Sequence, residues 1–204
     1  MSKKRKNKKG VPPTPAEMRR LAQAGHNVIA FQVSDDVKNT YKPGITDEIA
    51  EATSLAKKKR YAEAKVALQS IIEQEPQAKE AYTNLAAVCQ WMGDKATAEG
   101  IFHEAMVKFP DYPFPRINLA QICLKRGQVA EAQGLLTPLE KHHKFTSGEF
   151  RFYALTQSDV LATQGNYKAA QSWLKMLAQA MPGTPGLAER QLRYFIGRLL
   201  RRGK

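Results

Sequence analysis

The chain has two cysteines in 204 residues, no long apolar run, and few acidic residues at either end. Two cysteines cannot frame a small secreted disulfide scaffold, so a reducing compartment is the expected setting. No apolar stretch approaches the roughly 18 residues that would span a bilayer as a helix. A basic N-terminus is followed by Val11-Pro12-Pro13-Thr14-Pro15 and not by the apolar core of a signal peptide, so export is not expected either. The expected location is cytoplasmic, or nuclear in a eukaryotic host. The enzyme motifs are missing too: there is no phosphate-binding glycine loop, HExxH, CxxC or nucleophile elbow. No catalytic residue, cofactor or metal site is expected.

What the chain has is charge, unevenly spread. The formal net charge is +13. Residues 1–20 carry eight cationic side chains and one anionic one, and residues 185–204 carry six and one. The intervening residues are close to neutral. A neutral module with two cationic ends is the reading. Within residues 3–9, Lys3, Lys4, Arg5, Lys6, Lys8 and Lys9 follow one another with only Asn7 between them. Self-repulsion without an apolar anchor predicts an extended, disordered tail over residues 1–15, suited to RNA, DNA, a ribosome or anionic lipid by charge alone. A merely solubilising tail is the other reading. No aromatic is interleaved to stack on single-stranded bases.

The middle of the chain repeats itself. Lys59-Arg60-Tyr61-Ala62-Glu63-Ala64 is answered by strings beginning at Gly93, Gly127 and Gly165, at intervals of 34, 34 and 38 residues. Each lies between stretches of helical apolar periodicity, and three of the four begin with the glycine expected just past a helix C-terminus. Pro76, Pro110 and Pro182 each follow the small residues Ala64, Ala98 and Ala170 by 12 positions; in the third string Lys144 stands there instead.

These residues resemble the tetratricopeptide repeat family. Tyr82, Leu85, Ala86, Gly93, Ala98, Phe102, Ala105 and Pro110 follow the motif's order and spacing most fully. The resemblance covers residues 45–184 and implies an all-α, right-handed solenoid of four helix hairpins, at 45–78, 79–112, 113–150 and 151–184. Small residues at the helix crossings (Ala52, Ala86 and Ala120 in first helices; Ala64, Ala98, Ala132 and Ala170 in second helices) would let the paired helices approach closely. Tyr82, Leu85, Phe102, Leu119, Leu136, Leu174 and Leu177 would fill the space between them. The 38-residue interval predicts a longer second helix in the third hairpin and a looser turn after it. A basic C-terminal helix over residues 187–202 is expected to cap the stack, with Leu192, Phe195, Ile196, Leu199 and Leu200 lining one side; a membrane-surface or nucleic-acid helix is its functional rival.

Between tail and repeats, residues 16–24 read as a short helix, 27–33 as strand-like, and 40–44 as a turn-bearing linker. Residues 16–44 are a candidate N-terminal cap on the first hairpin. Cys89 and Cys123 occupy equivalent places one repeat apart and read as small buried hydrophobes. His142 and His143 read as a solvated helix end, since neighbouring helical positions diverge too far to chelate one ion.

The resemblance also implies a concave groove lined by the first helices, holding a peptide or a partner helix. Its candidate residues are Glu80, Thr83, Asn84, Ala87 and Trp91, then Phe114, Ile117, Asn118, Gln121 and Lys125, then Leu155, Thr156 and Asp159. Asn84 and Asn118 match the asparagine that the family often sets against a peptide backbone. Cationic residues able to clamp an acidic chain terminus are missing: Ile49, Thr53, Phe114 and Asn118 stand at those places. The expected function is a non-enzymatic adaptor or scaffold that binds another protein; an RNA- or ribosome-associated factor held by the basic ends is the alternative.

Overall fold

The computed structural model describes residues 32–35, 40–141 and 144–202. The basic tail, the expected helix at 16–24, most of the 27–33 run, and His142 and His143 lie outside the described residues. The chain divides into two compact units, one within residues 35–139, the other made of residues 32–34 and the described residues from 140 onward.

The first unit holds three helix hairpins: α1 (Ile45–Lys57) with α2 (Tyr61–Gln74), α3 (Lys79–Trp91) with α4 (Lys95–Lys108), and α5 (Pro113–Lys125) with α6 (Val129–Leu136). The second holds α7 (Ser147–Thr163), α8 (Tyr167–Ala180) and α9 (Leu187–Arg202).

All four hairpins turn by the same chemistry. The second residue after each first helix is left-handed: Lys59 (φ 62°), Gly93 (87°), Gly127 (76°) and Gly165 (81°). That conformation lets the next amide reach back five residues. Arg60 N–H donates to the Leu55 carbonyl at 3.0 Å, Asp94 to Cys89 at 2.9 Å, Gln128 to Cys123 at 2.9 Å and Asn166 to Leu161 at 2.8 Å. The last carbonyls of the first helices thus find donors, and the chain reverses in two residues. Lys59 alone does this with a Cβ, at a cost that glycine avoids.

The second helices stop where proline forbids another turn. Glu75, Phe109 and Met181 precede Pro76, Pro110 and Pro182 and are extended, with φ of −135°, −127° and −137°. A residue before proline is pushed out of the helical region by the ring. The third hairpin corrects an expectation here: its second helix is shorter, not longer. Pro138 has no N–H and its ring opposes the carbonyl four residues back, so α6 stops at Leu136 and tightens into a 3₁₀ turn at Thr137–Lys141. The additional residues instead form β2 (Lys144–Phe145), which pairs in parallel with β1 (Gln32–Val33). This two-residue pair is the only sheet among the described residues.

Packing follows the small residues at the crossings. Ala52, Ala64, Ala86, Ala98, Ala120, Ala132 and Ala170 are all buried. Around them the first unit's core gathers Leu68, Ile71, Leu85, Val88, Cys89, Phe102 and Leu119. Burying a side chain the size of Phe102 contributes roughly 1.5–3 kcal/mol. Cys89 and Cys123 are buried and unpaired, and desolvation pushes both thiols above their ordinary range. The second unit's core is aromatic: Phe145 stacks on Tyr153 at 5.4 Å between ring centres, and Tyr153 meets Trp173 edge-on at 5.2 Å.

The linker before the first hairpin divides its loyalties. Tyr41 packs against the core of the first unit, and Lys42 Nζ donates to the Gln74 carbonyl at 2.6 Å. Residues 32–34, however, belong to the second unit, where Ser34 N–H donates to the Phe145 carbonyl at 2.9 Å. Among the described linker residues, those next to α1 pack on the first hairpin.

The terminal helix also corrects an expectation. Its packed side is Leu187, Arg190, Tyr194 and Gly197, spaced by three and four residues. Leu192, Phe195, Ile196, Leu199 and Leu200, expected to line the capped face, are 47–71 % exposed. Gly197 lies where an added Cβ would fall 2.7 Å from the Tyr167 ring, so a small residue is what seats this side of α9 on α8.

Candidate functional site

In α3, helical spacing puts Glu80, Asn84, Ala87 and Trp91 on one side, and α5 repeats the arrangement with Phe114, Asn118, Gln121 and Lys125. All eight are half-buried or exposed. Thr83 and Ile117, named with them, are buried. The helix turn that carries the two asparagines outward carries these inward. Thr83 Oγ1 donates to the Glu80 carbonyl at 3.1 Å and lies 3.3 Å from the Tyr112 hydroxyl.

The two asparagines are held alike by different partners. Asn84 Nδ2 donates to Thr53 Oγ1 of α1 at 3.0 Å, and that hydroxyl donates to the Ile49 carbonyl at 2.8 Å. Asn118 Nδ2 donates to the Phe114 carbonyl of its own helix at 2.8 Å. Each amide thus commits one of its two N–H donors to the fold, which fixes the orientation of Oδ1 and of the second N–H.

Glu80 accepts a hydrogen bond from the Tyr41 phenol, which ties the linker to this side of α3. Burial, and then Glu80, push that phenol well above its ordinary pKa. Lys79 Nζ sits 5.1 Å from the centre of the Tyr112 ring, a cation–π contact next to Phe114. At the turn end of α3, Trp91 is 56 % exposed and touches the Tyr61 ring at 5.8 Å between centres. Sequence reasoning missed Tyr41 and Tyr112, aromatic residues beside the turns and outside the repeat pattern, and read Tyr61 only as part of the repeat.

In the second unit the expected residues fare differently. Leu155 is half-buried and Thr156 is buried, its Oγ1 donating to the Phe152 carbonyl at 2.8 Å. Asp159 is engaged by α9: Arg190 Nη2 donates to it at 3.1 Å, Arg193 Nη2 at 3.0 Å, and the Tyr194 phenol donates as well. Tyr194 is raised by burial first and then by Asp159. This end of the expected site is therefore filled by the chain's own terminal helix. The capping box of α7 also went unread: Thr146 Oγ1 accepts from Glu149 N–H at 3.2 Å while Glu149 Oε2 accepts from Thr146 N–H at 2.7 Å.

Among the described residues no cluster of three or more His, Cys, Asp or Glu could hold a metal ion, and no helix is long and apolar enough to cross a membrane.

No protein-family model matches the chain, and no curated protein matches its sequence. Solved structures do. PilF of Pseudomonas aeruginosa superposes with a TM-score of 0.64 at 14 % identity, over 76 % of this chain and 69 % of that one. TTC0263, a thermophilic tetratricopeptide repeat protein of Thermus thermophilus, gives 0.61 at 20 % identity, over 76 % and 84 %. PilW, a type IV pilus biogenesis factor, gives 0.58 at 16 % identity, over 80 % of each. At such identities the likeness speaks for architecture alone, and it agrees with the four turns and the buried crossing residues: the chain has the tetratricopeptide repeat fold, an all-α solenoid.

Proposed function

We propose that the chain is a non-enzymatic adaptor whose first unit binds an extended peptide or a helix of another protein along α1, α3 and α5. The observation that carries this reading is the pair Asn84 and Asn118, one repeat apart, each with one amide N–H held by the fold. A fixed carbonyl oxygen at a repeat interval suits backbone N–H groups, which recur along any peptide whatever its side chains. Trp91 supplies an apolar anchor beside them, since a half-exposed tryptophan resting on Tyr61 loses little freedom when a partner covers it. Glu80, Ala87, Phe114, Gln121 and Lys125 complete a mixed apolar and polar surface that fits a neutral or amphipathic segment. Thr83 and Ile117 lie behind it as core; in the second unit Thr156 is buried and Asp159 is committed to α9.

The test is affinity capture from the native host at physiological salt, with nuclease, using the wild type and an Asn84→Ala/Asn118→Ala/Trp91→Ala variant. The expected result is a protein partner that survives nuclease and is recovered at least about tenfold less well on the variant, since hot-spot truncations cost about 2 kcal/mol or more. Equal recovery on both would remove this face from the function.

A further inference from the structure

The strongest feature that the adaptor reading leaves unused is the outward side of α9. The helix is seated by its polar side: Arg190 and Tyr194 reach Asp159, and Tyr194 lies 3.4 Å from Ser158 Oγ. Beyond Leu187, which packs on the same side, its large apolar residues point the other way. Leu192, Phe195, Ile196 and Leu199 recur at spacings of three and four and form one stripe, widened by Leu200, every member about half exposed or more. A contiguous apolar stripe of this size on a surface marks a place where something docks.

Charge identifies the occupant. Arg193 and Arg198 flank the stripe, and residues 185–204 carry six cationic side chains against one anionic. The other concentration of charge is the tail, with six cations in residues 3–9. A second copy of the chain would bring the same cationic helix against its own image. An anionic bilayer removes the apolar stripe from water and neutralises Arg198 in one event, while Arg193 is already paired with Asp159. The geometry suits a plane as well: the stripe faces away from the helix's own packing side, and sixteen residues extend about 24 Å along it.

We propose that α9 is an interfacial helix that docks the protein on an anionic lipid surface, with Leu192, Phe195, Ile196, Leu199 and Leu200 entering the headgroup boundary and Arg193 and Arg198 at its rim. Helices of this composition bind by apolar area together with attraction to anionic headgroups, and firm attachment takes two signals. The basic tail is the second signal.

Vesicle flotation of the full chain tests the assignment, with phosphatidylcholine vesicles compared with vesicles in which phosphatidylglycerol replaces about a third of the lipid, the anionic charge that this mode of binding needs. Wild type should float with the anionic vesicles and stay behind with the neutral ones. Leu192→Gln/Phe195→Gln/Leu199→Gln, whose tail is intact, should lose at least about tenfold in partitioning. Because all three positions are exposed, its melting temperature should stay close to that of the wild type. Arg198→Glu, with the stripe intact, should weaken anionic binding severalfold. Wild type that ignores anionic vesicles, or that floats equally with both kinds, would overturn the proposal. So would a triple variant that floats like wild type, which would assign binding to the tail alone. A wild-type dimer in sedimentation that the triple variant abolishes would give the stripe to a second copy.

Discussion

The second and fourth hairpins carry equivalent positions with opposite chemistry. Where α3 has Leu85, Ala86 and Ala87, α7 has Gln157, Ser158 and Asp159, and both Gln157 and Ser158 are buried. The second hairpin packs chiefly on apolar side chains around Phe102, with Lys108 Nζ of α4 donating to the Tyr82 phenol of α3 at 2.6 Å. The fourth closes by hydrogen bonding to a helix that follows it, through Tyr194 and Arg190. A polar group taken from water needs a partner, so the composition of α7 dictates which side of α9 must face it. The same backbone repeat thus tolerates two kinds of core, one filled by apolar side chains of neighbouring hairpins and one that adds hydrogen bonds to the helix that follows.

Removing the central ring from each should separate them. Phe102→Ala and Tyr194→Ala should each cost about 3–5 kcal/mol in denaturant unfolding, the range for deleting a buried aromatic. Hydrogen exchange should place the damage differently, with protection lost in α3 and α4 for the first and in α7 to α9 for the second. The polar core can also be converted. Gln157 Oε1 is buried and accepts no hydrogen bond among the described residues, so Gln157→Leu, restoring the side chain found at 85 and 119, should gain about 1–2 kcal/mol. A smaller gain should come from the first turn: Lys59→Gly relieves a left-handed side chain that glycine occupies elsewhere, by up to about 1 kcal/mol in thermal melts, less what glycine adds to the freedom of the unfolded chain.

The finest distinction is in pH. An unfolded tyrosine releases its proton near the ordinary value of 10.0, while folded Tyr194 keeps its proton to higher pH through burial and Asp159. The folded state then binds more protons, so this group's stabilisation is complete below that pH and is lost as pH rises through the raised folded value. Tyr194→Phe should flatten that part of the alkaline melting curve. An unchanged slope in Tyr194→Phe would place the phenol in water.

Much of this architecture was legible without coordinates because it rests on local rules. The turns need a left-handed residue, the second helices need a stop, and the crossings need small side chains; glycine, proline and alanine at repeat intervals state all three. The short α6 was written just as locally, in Pro138, but the 38-residue interval drew attention to length and away from the ring. The expected groove was legible by register, yet register cannot tell a half-buried Asn84 from a buried Thr83 one residue earlier.

By itself the sequence determined four hairpins, their turns and their crossings, since each depends on residues close in the chain and on a repeat that copies them. Tertiary structure alone decided the orientation of α9. Its apolar stripe and its polar side are equally good helix faces. The buried Ser158 and the carboxylate of Asp159, far upstream in the chain, together with the close approach of Gly197 to Tyr167, select the packed one and turn the leucines outward.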